Sequence, residues 1–373
     1  MYFIYYRNKG NPALLTRKKL RTGIFFSLVL AFVVMTAIAL YGDLPRMIAV
    51  LAHFRWTFLP LILGLTLYNY FWRFLKWQYY LKRLAITINW KKSLLIFISG
   101  LSMAITPGKV GELLKSYLLK RSTGAPISRT SPIIMAERLT DGIAMIALAS
   151  TGLVLYRYGW ELLLALLVCV LAGVLVIQNR RLSLGLLSFG ERVPVVSRIA
   201  HLIRTFYESS YTLLQWRPLL LAISLGIISW IGECGALYFV FAGLGLGFGP
   251  DVFIKATFIL AVSSLVGSAS GLPGGLGTAD GSMLGLTRLL LTSSATIGGA
   301  ATLLIRLCTL WFGLALGVVA LLLYRSTQHG DIFAEQGDGK EPQKDEAGSL
   351  LQSDSRTGLQ TAAASSSTGD TTV

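Results

Sequence analysis

Between Thr106 and Glu112 the chain reads Thr-Pro-Gly-Lys-Val-Gly-Glu. Pro107 removes a backbone donor and turns the preceding residue away from helix. Gly108 and Gly111 permit tight turns and close backbone approach. A break of this kind frees amides at the start of a second half-helix. With the Lys109 ammonium beside them, those amides suit an anion such as phosphate. Glu112 adds a carboxylate at the same place. The stretch Gly-Leu-Pro-Gly-Gly-Leu-Gly-Thr-Ala-Asp at 271–280 repeats the design. There Pro273, Gly274, Gly275 and Gly277 make the break and Asp280 supplies the acid. Between the two lies Glu137-Arg138-Leu139-Thr140-Asp141. Glu137 and Asp141 share a helix face, and Arg138, three before Asp141, can pair with it. Glu233 and Arg306 each interrupt a long apolar run. A charge at the centre of a bilayer costs about 2.5–3.5 kcal/mol on insertion scales, so such residues face the protein interior and mark substrate or proton paths. For the Glu137 cluster a buried structural ion pair, or a position near the headgroups, remains an open alternative.

The elements around these residues are apolar. Ser93–Ile105 precedes the first break without a charge, and Leu113–Leu119 follows it with only Lys115. Thirteen helical residues rise only about 20 Å, against a hydrocarbon core of about 30 Å. Lys91 and Lys92 flank one end of this segment and Lys120 and Arg121 the other, so both ends belong on the cytoplasmic side. A re-entrant hairpin satisfies both conditions. Val252–Ser270 and Gly281–Leu291 read as the arms of a second hairpin, entered from outside. Two Gly/Pro-interrupted segments in corresponding halves point to a transporter-type site at the repeat interface. Full spans are expected at about Gly23–Leu40, Thr57–Leu75, Ser131–Tyr156, Glu161–Ile177, Pro218–Leu244 and Ala295–Tyr324. The reading is therefore an all-α polytopic membrane protein with six full spans and two opposed broken helices in an inverted-repeat arrangement.

Composition supports the class. Of 373 residues 54% are hydrophobic and 14% charged, against roughly a quarter charged in soluble domains. Ten-residue alternating strands are absent, which excludes an outer-membrane barrel. The net charge of +16 sits at span ends, the positive-inside pattern, so nucleic acid is not the expected partner. Arg73 near the end of the second span is free to snorkel to the interface, and Trp72 and Trp77 suit an interfacial belt. Ala37-Ile38-Ala39 has the form of a signal-peptidase site, but the long basic leader favours a retained first span. Cys169, Cys234 and Cys308 form no CxxC pair, and His53, His201 and His329 are scattered. Neither a metal site nor a disulfide framework is indicated. Three regions result: a basic cytoplasmic segment 1–22, a membrane domain 23–324 and a tail 325–373. The tail holds eight acids and four bases and should be disordered. Residues 178–216, rich in arginine with apolar residues at helical spacing, read as an amphipathic helix on the inner leaflet.

Taken in order, Thr106–Glu112, Glu137–Asp141 and Pro273–Gly277 resemble the lysylphosphatidylglycerol synthase transmembrane family, also called flippase-like membrane proteins. That family has a Thr-Pro-Gly-Arg/Lys-x-Gly-Glu element, a Glu-Arg-x-x-Asp and a late Pro-Gly-Gly-x-Gly. Asp280 stands where the resemblance leads one to expect glutamate. Lys109 and Lys115 stand where arginine is common, which loses bidentate phosphate geometry. The resemblance implies a flippase or transporter moving a phosphate-bearing lipid between leaflets of the plasma membrane, and the count of spans puts both termini in the cytoplasm. The cargo would be a phospholipid, an aminoacyl-phospholipid or a polyprenyl-phosphate-linked substrate. Lys109 and the half-helix terminus would hold the phosphate, and Glu112, Glu137 and Asp141 would meet a cationic head or a coupling proton. No GxxxxGK[ST] loop occurs, so transport is expected to be passive or gradient-driven, without a cofactor. The short stretch after Tyr324 leaves no room for an aminoacyl-transferase domain. The alternatives are a membrane glycosyl or acyl transferase using a lipid-phosphate donor, and an accessory scaffold. Whether the chain forms a homo-oligomer stays open.

Overall fold

The computed structural model describes residues 43–106, 111–156, 160–181, 183, 185 and 194–337, together with Val33 and Thr36. The expected first span, the basic leader and the signal-peptidase-like triplet lie outside the described residues, as do 338–373.

The described chain is all-helical. In order, α1 is Leu44–Ala52, α2 Leu59–Arg83, α3 Trp90–Leu101, α4 Leu113–Thr123, α5 Ile127–Tyr156 and α6 Trp160–Gln178. The series continues with α7 Pro194–Leu213, α8 Trp216–Gly243, α9 Pro250–Ala269, α10 Thr278–Leu290, α11 Ala295–Arg306 and α12 Phe312–Gly337. The stretch between the first two expected spans contains α1. It joins a 3-10 turn at Trp56–Phe58 and meets α2 at a bend of 68°. Pro60 at the start of α2 is tolerated because the first turn has amides to spare. Asn89 caps α3 by accepting from Lys91 N, and Gly124 ends α4 at φ +75°.

Among the described residues, α8, α9 and the run Ala295–Tyr324 are long and apolar enough to cross a membrane, and α1 with α2 makes a fourth if taken as one bent span. Helix α9 differs from expectation. The sequence reading made it one short arm of a hairpin, but its 20 residues rise about 30 Å, the thickness of a hydrocarbon core. It runs from Pro250 to Ala269, close to the Val252–Ser270 expected for the arm. Helix α6 presents Leu164, Val168, Leu171 and Leu175 to the surface at helical spacing, an apolar face suited to lipid. Helix α12 runs on to Gly337, past the Arg325 boundary expected for the tail.

Among the described residues, two large hydrophobic cores hold the helices together. One gathers Ile62, Leu237, Phe241, Ile259 and Leu304 from α2, α8, α9 and α11. The other gathers Trp77, Tyr80, Phe97, Leu119, Ile133 and Leu213 from α2, α3, α4, α5 and α7. Trp77, expected in an interfacial belt, is fully buried, and its Nε1 donates to Ser93 Oγ at 3.1 Å. Helix α7 packs along α5, with Ser209 and Ser210 buried. Helices α2 and α8 cross where Asn69 Nδ2 donates to Ser229 O at 3.0 Å and Ser229 Oγ donates back to Asn69 O at 3.1 Å.

Candidate functional site

The first break is a hairpin. Helix α3 ends at Leu101, a turn follows through Thr106, and α4 begins at Leu113. A Cβ on Gly111 would fall 2.5 Å from Met103 Cβ, and one on Gly100 would fall 2.5 Å from Lys115 Cγ. These contacts place two antiparallel arms side by side. Pro107, Gly108 and Lys109 lie outside the described residues. The amide of Gly111 is not free for an anion, because it donates to Thr106 Oγ1 at 2.9 Å.

The second break folds by a different local device. Helix α9 ends at Ala269, a 3-10 turn spans Pro273–Gly275, and α10 starts at Thr278. Gly274 and Gly275 sit at φ +61° and +67°, backbone that residues with a Cβ rarely adopt. Asp280 is fully buried and accepts from Gly277 N at 2.9 Å, so this half-helix also fills its first amide internally. The other carboxylate oxygen of Asp280 accepts from Arg306 Nε. Arg306 Nη1 donates to Gly274 O at 3.2 Å, which ties α11 to the break. Just past Arg306 the helix widens into a π turn, Leu307–Trp311, and Tyr70 donates to Thr309 O there at 2.8 Å.

The charged groups form pairs across these elements. Arg138 grips Glu112 with two nitrogens, at 2.6 and 2.9 Å, in the bidentate geometry that makes arginine–carboxylate pairs strong. The expected pairing of Arg138 with Asp141 does not form: α4 packs against α5 and brings Glu112 within reach first. Asp141 instead takes Lys76 at 2.5 Å and Arg73 at 3.5 Å, both from α2. Lys115 pairs with Glu137 at 2.5 Å and lies 4.9 Å from the centre of the Trp77 ring. The two breaks thus share one device. Each has a carboxylate at the start of its second arm, clamped by an arginine 26 residues later on the following helix.

A cavity of about 400 Å³ lies where the two breaks meet, within the range of about 300–1,000 Å³ typical of small-molecule sites. Arg73, Glu112, Lys115, Arg138, Asp141, Glu233 and Arg306 line it, with Gly274 and Gly275 from the second break. Among the described residues Glu233 has no hydrogen bond and no ion pair. Trp230 Nε1, Ser263 Oγ and Arg306 Nη2, on three lining residues, are buried without hydrogen-bond partners. A polar cavity between apolar helices, with donors the protein leaves unmatched, can hold an anion.

The structure therefore gathers Glu112, Arg138, Asp141, Glu233, Gly274, Gly275 and Arg306 in one place. Gly111, Pro273, Gly277 and Asp280 support the wall from behind. Glu137 is not in the wall: it stands behind Lys115 and fixes that ammonium. Sequence reasoning missed the part played by Arg73, Lys76 and Lys115. Arg73 was assigned to the interface, yet its side chain is only 16% exposed and faces Asp141. Lys76, counted with the basic flank that follows, is 1% exposed. Their spacing was a usable signal, because two cations at i and i+3 on a helix share a face with Asn69. Lys115, the one charge in an apolar arm, was another.

Known proteins bear on this arrangement. Residues 23–317 match the family described as the lysylphosphatidylglycerol synthase TM region. A UPF0104 membrane protein of Methanothermobacter thermautotrophicus is 28% identical over 244 residues, which is 60% of this chain and 70% of that protein. A second from the same organism is 26% identical over 286 residues, 68% of this chain and 81% of that one. A UPF0104 membrane protein of Methanocaldococcus jannaschii is 24% identical over 324 residues, 80% of this chain and 94% of that protein. The family match takes in both breaks, the charged stretch between them and the arginine that closes the second. With its apolar helices and shared polar cavity, this chain is a multi-pass membrane protein that belongs to the lysylphosphatidylglycerol synthase transmembrane-region family.

Proposed function

We propose that the protein moves a phosphate-bearing lipid or lipid-linked substrate between the leaflets of the plasma membrane, with both termini cytoplasmic. The convergence of both helix breaks on a single charged cavity carries this reading. Irregular backbone at membrane depth is tolerated where it lines a wet cavity, and such breaks serve transporters as substrate sites. The cargo phosphate would sit between Arg138 and Arg306, each already held by a carboxylate that the phosphate can replace. Lys109, in the first break, adds charge on that side. Exchange of Arg138 from Glu112, then of Arg306 from Asp280, would release one break at a time and open the cavity to alternate leaflets. The basic flanks at Lys91, Lys92, Lys120 and Arg121 support entry of the first hairpin from the cytoplasm.

A transferase is the weaker reading. Glu137 and Asp141, the carboxylates that reading would use for acid–base work, are both engaged by cations at 2.5 Å.

The test is reconstitution into vesicles containing a trace of fluorescent phosphatidylglycerol, with a membrane-impermeant reductant added outside. The protein should expose the inner-leaflet label, and Arg306→Gln should slow this about tenfold or more, the loss of one charge-assisted contact to cargo. A rate in protein-containing vesicles equal to that in empty ones would refute the reading.

A further inference from the structure

We infer that Glu233 is the proton-binding residue of the cavity, loading a proton together with each phosphodiester anion. The inference rests on the transport reading for its purpose but on separate observations for its substance. The carboxylates first expected to meet a coupling proton are occupied: Glu112 by Arg138, Glu137 by Lys115 and Asp141 by Lys76. A carboxylate clamped by a cation resists protonation, because adding the proton breaks the pair. Glu233 lines the same cavity and, among the described residues, carries no such clamp.

Charge balance points the same way. Arg138 with Glu112, Lys115 with Glu137, and Arg306 with Asp280 are each neutral. Arg73 and Lys76 share the single carboxylate of Asp141, which leaves one positive charge. Ionised Glu233 cancels it, so among the described residues the empty network is neutral. A phosphodiester held between Arg138 and Arg306 adds one negative charge to that network, in a medium where an uncompensated charge is costly. Glu233, the lining carboxylate without a clamp among the described residues, is where a proton restores the balance. A proton from water adds to one carboxylate oxygen, restores neutrality and turns the group into an O–H donor for the phosphate. After transfer the proton leaves to water on the other side with the anion.

Among the described residues, the ionisable groups that act on Glu233 come from three other helices. Helix α2 brings Tyr70 and Arg73, α5 brings Asp141 and α11 brings Arg306. From α9 come the neutral Leu260, Ser263 and Ser264. The 3-10 turn at Trp56–Phe58, which also touches α8, carries no ionisable side chain.

The deciding experiment is calorimetric titration of the detergent-solubilised full chain with short-chain phosphatidylglycerol, in buffers of differing ionisation enthalpy. The wild type should take up about one proton per lipid bound, and its affinity should fall as pH rises. Glu233→Gln, a neutral isostere of the protonated form, should bind with no proton uptake. At alkaline pH it should bind about tenfold tighter than the wild type. Glu233→Asp, which keeps a carboxylate, should regain uptake. Binding without uptake in the wild type, or uptake that survives in Glu233→Gln, overturns the inference. So does absence of binding at every pH. Uptake on binding combined with no flipping in vesicles would sink the transport reading and leave Glu233 a proton site.

Discussion

The Lys115–Glu137 pair is where a structural role and a binding role separate most cleanly. The side chains are 6% and 3% exposed, 2.5 Å apart, and the lysine stem lies against Gly100. Breaking a buried pair by removing one partner costs about 3–5 kcal/mol, because a charge is left unmatched. Glu137→Gln keeps the size and an acceptor, and a neutral hydrogen bond to Lys115 recovers about 1 kcal/mol. The Trp77 and Phe97 rings, 4.9 and 5.5 Å from Nζ, continue to face the ammonium and change little. The expected loss is about 2–4 kcal/mol, which at roughly 2–4 °C per kcal/mol lowers the melting temperature in detergent by about 4–16 °C. Replacing both partners by apolar groups of similar size, Lys115→Met with Glu137→Leu, should restore most of it, since such swaps are often neutral. Double-mutant analysis of melting reads the coupling directly. Flipping by folded Glu137→Gln should stay within about threefold of wild type, because Glu137 does not line the cavity. Unchanged melting with lost flipping would refute this reasoning and return Glu137 to the cargo.

Two further outcomes follow. A Cβ on Gly267 would meet Ala279 Cβ at 2.7 Å, so Gly267→Val should destabilise by about 1–3 kcal/mol through overpacking. Ala279→Gly in the same chain should recover part of that melting loss, and failure to do so would remove the close approach of α9 and α10 as the cause. If the first break is a hairpin entered from the cytoplasm, cysteines placed by Trp90→Cys and Ser122→Cys should both react with an impermeant thiol reagent from that side, and opposite reactivity would refute it.

The sequence displayed local chemistry well and partnership poorly. Pro107 and Pro273 announce the breaks because proline and glycine act on their own backbone, wherever the rest of the chain lies. The charges at Glu112, Arg138, Asp141, Glu233 and Arg306 stand out because apolar runs surround them. Which charge meets which is a different matter. Arg138 had Asp141 one turn away on its own helix, but packing delivered Glu112 from α4 with bidentate geometry. Lys76 merges in sequence with Lys82 and Arg83, and only the rotation of α2 turns it inward to Asp141. The amides counted as free at both half-helix starts were filled by Thr106 and Asp280, small local bonds that composition does not reveal.

On the transport reading, the difference in charge between α2 and α8 is where transport can gain direction. Asn69 and Ser229 exchange hydrogen bonds across α2 and α8. Four residues on from each stand Arg73 and Glu233, which both line the cavity. The arginine is bound into a triad with Lys76 and Asp141, while the carboxylate holds no partner among the described residues. On that reading the two clamps, Glu112–Arg138 and Asp280–Arg306, are the gates. If nothing else differed, cargo would cross either way equally well. A titratable group on one half only breaks that equality, because its protonation follows the pH of whichever side the cavity faces. If the protein transports such a cargo, the clamps set how the path opens, and the carboxylate without a clamp sets which way the cargo is driven.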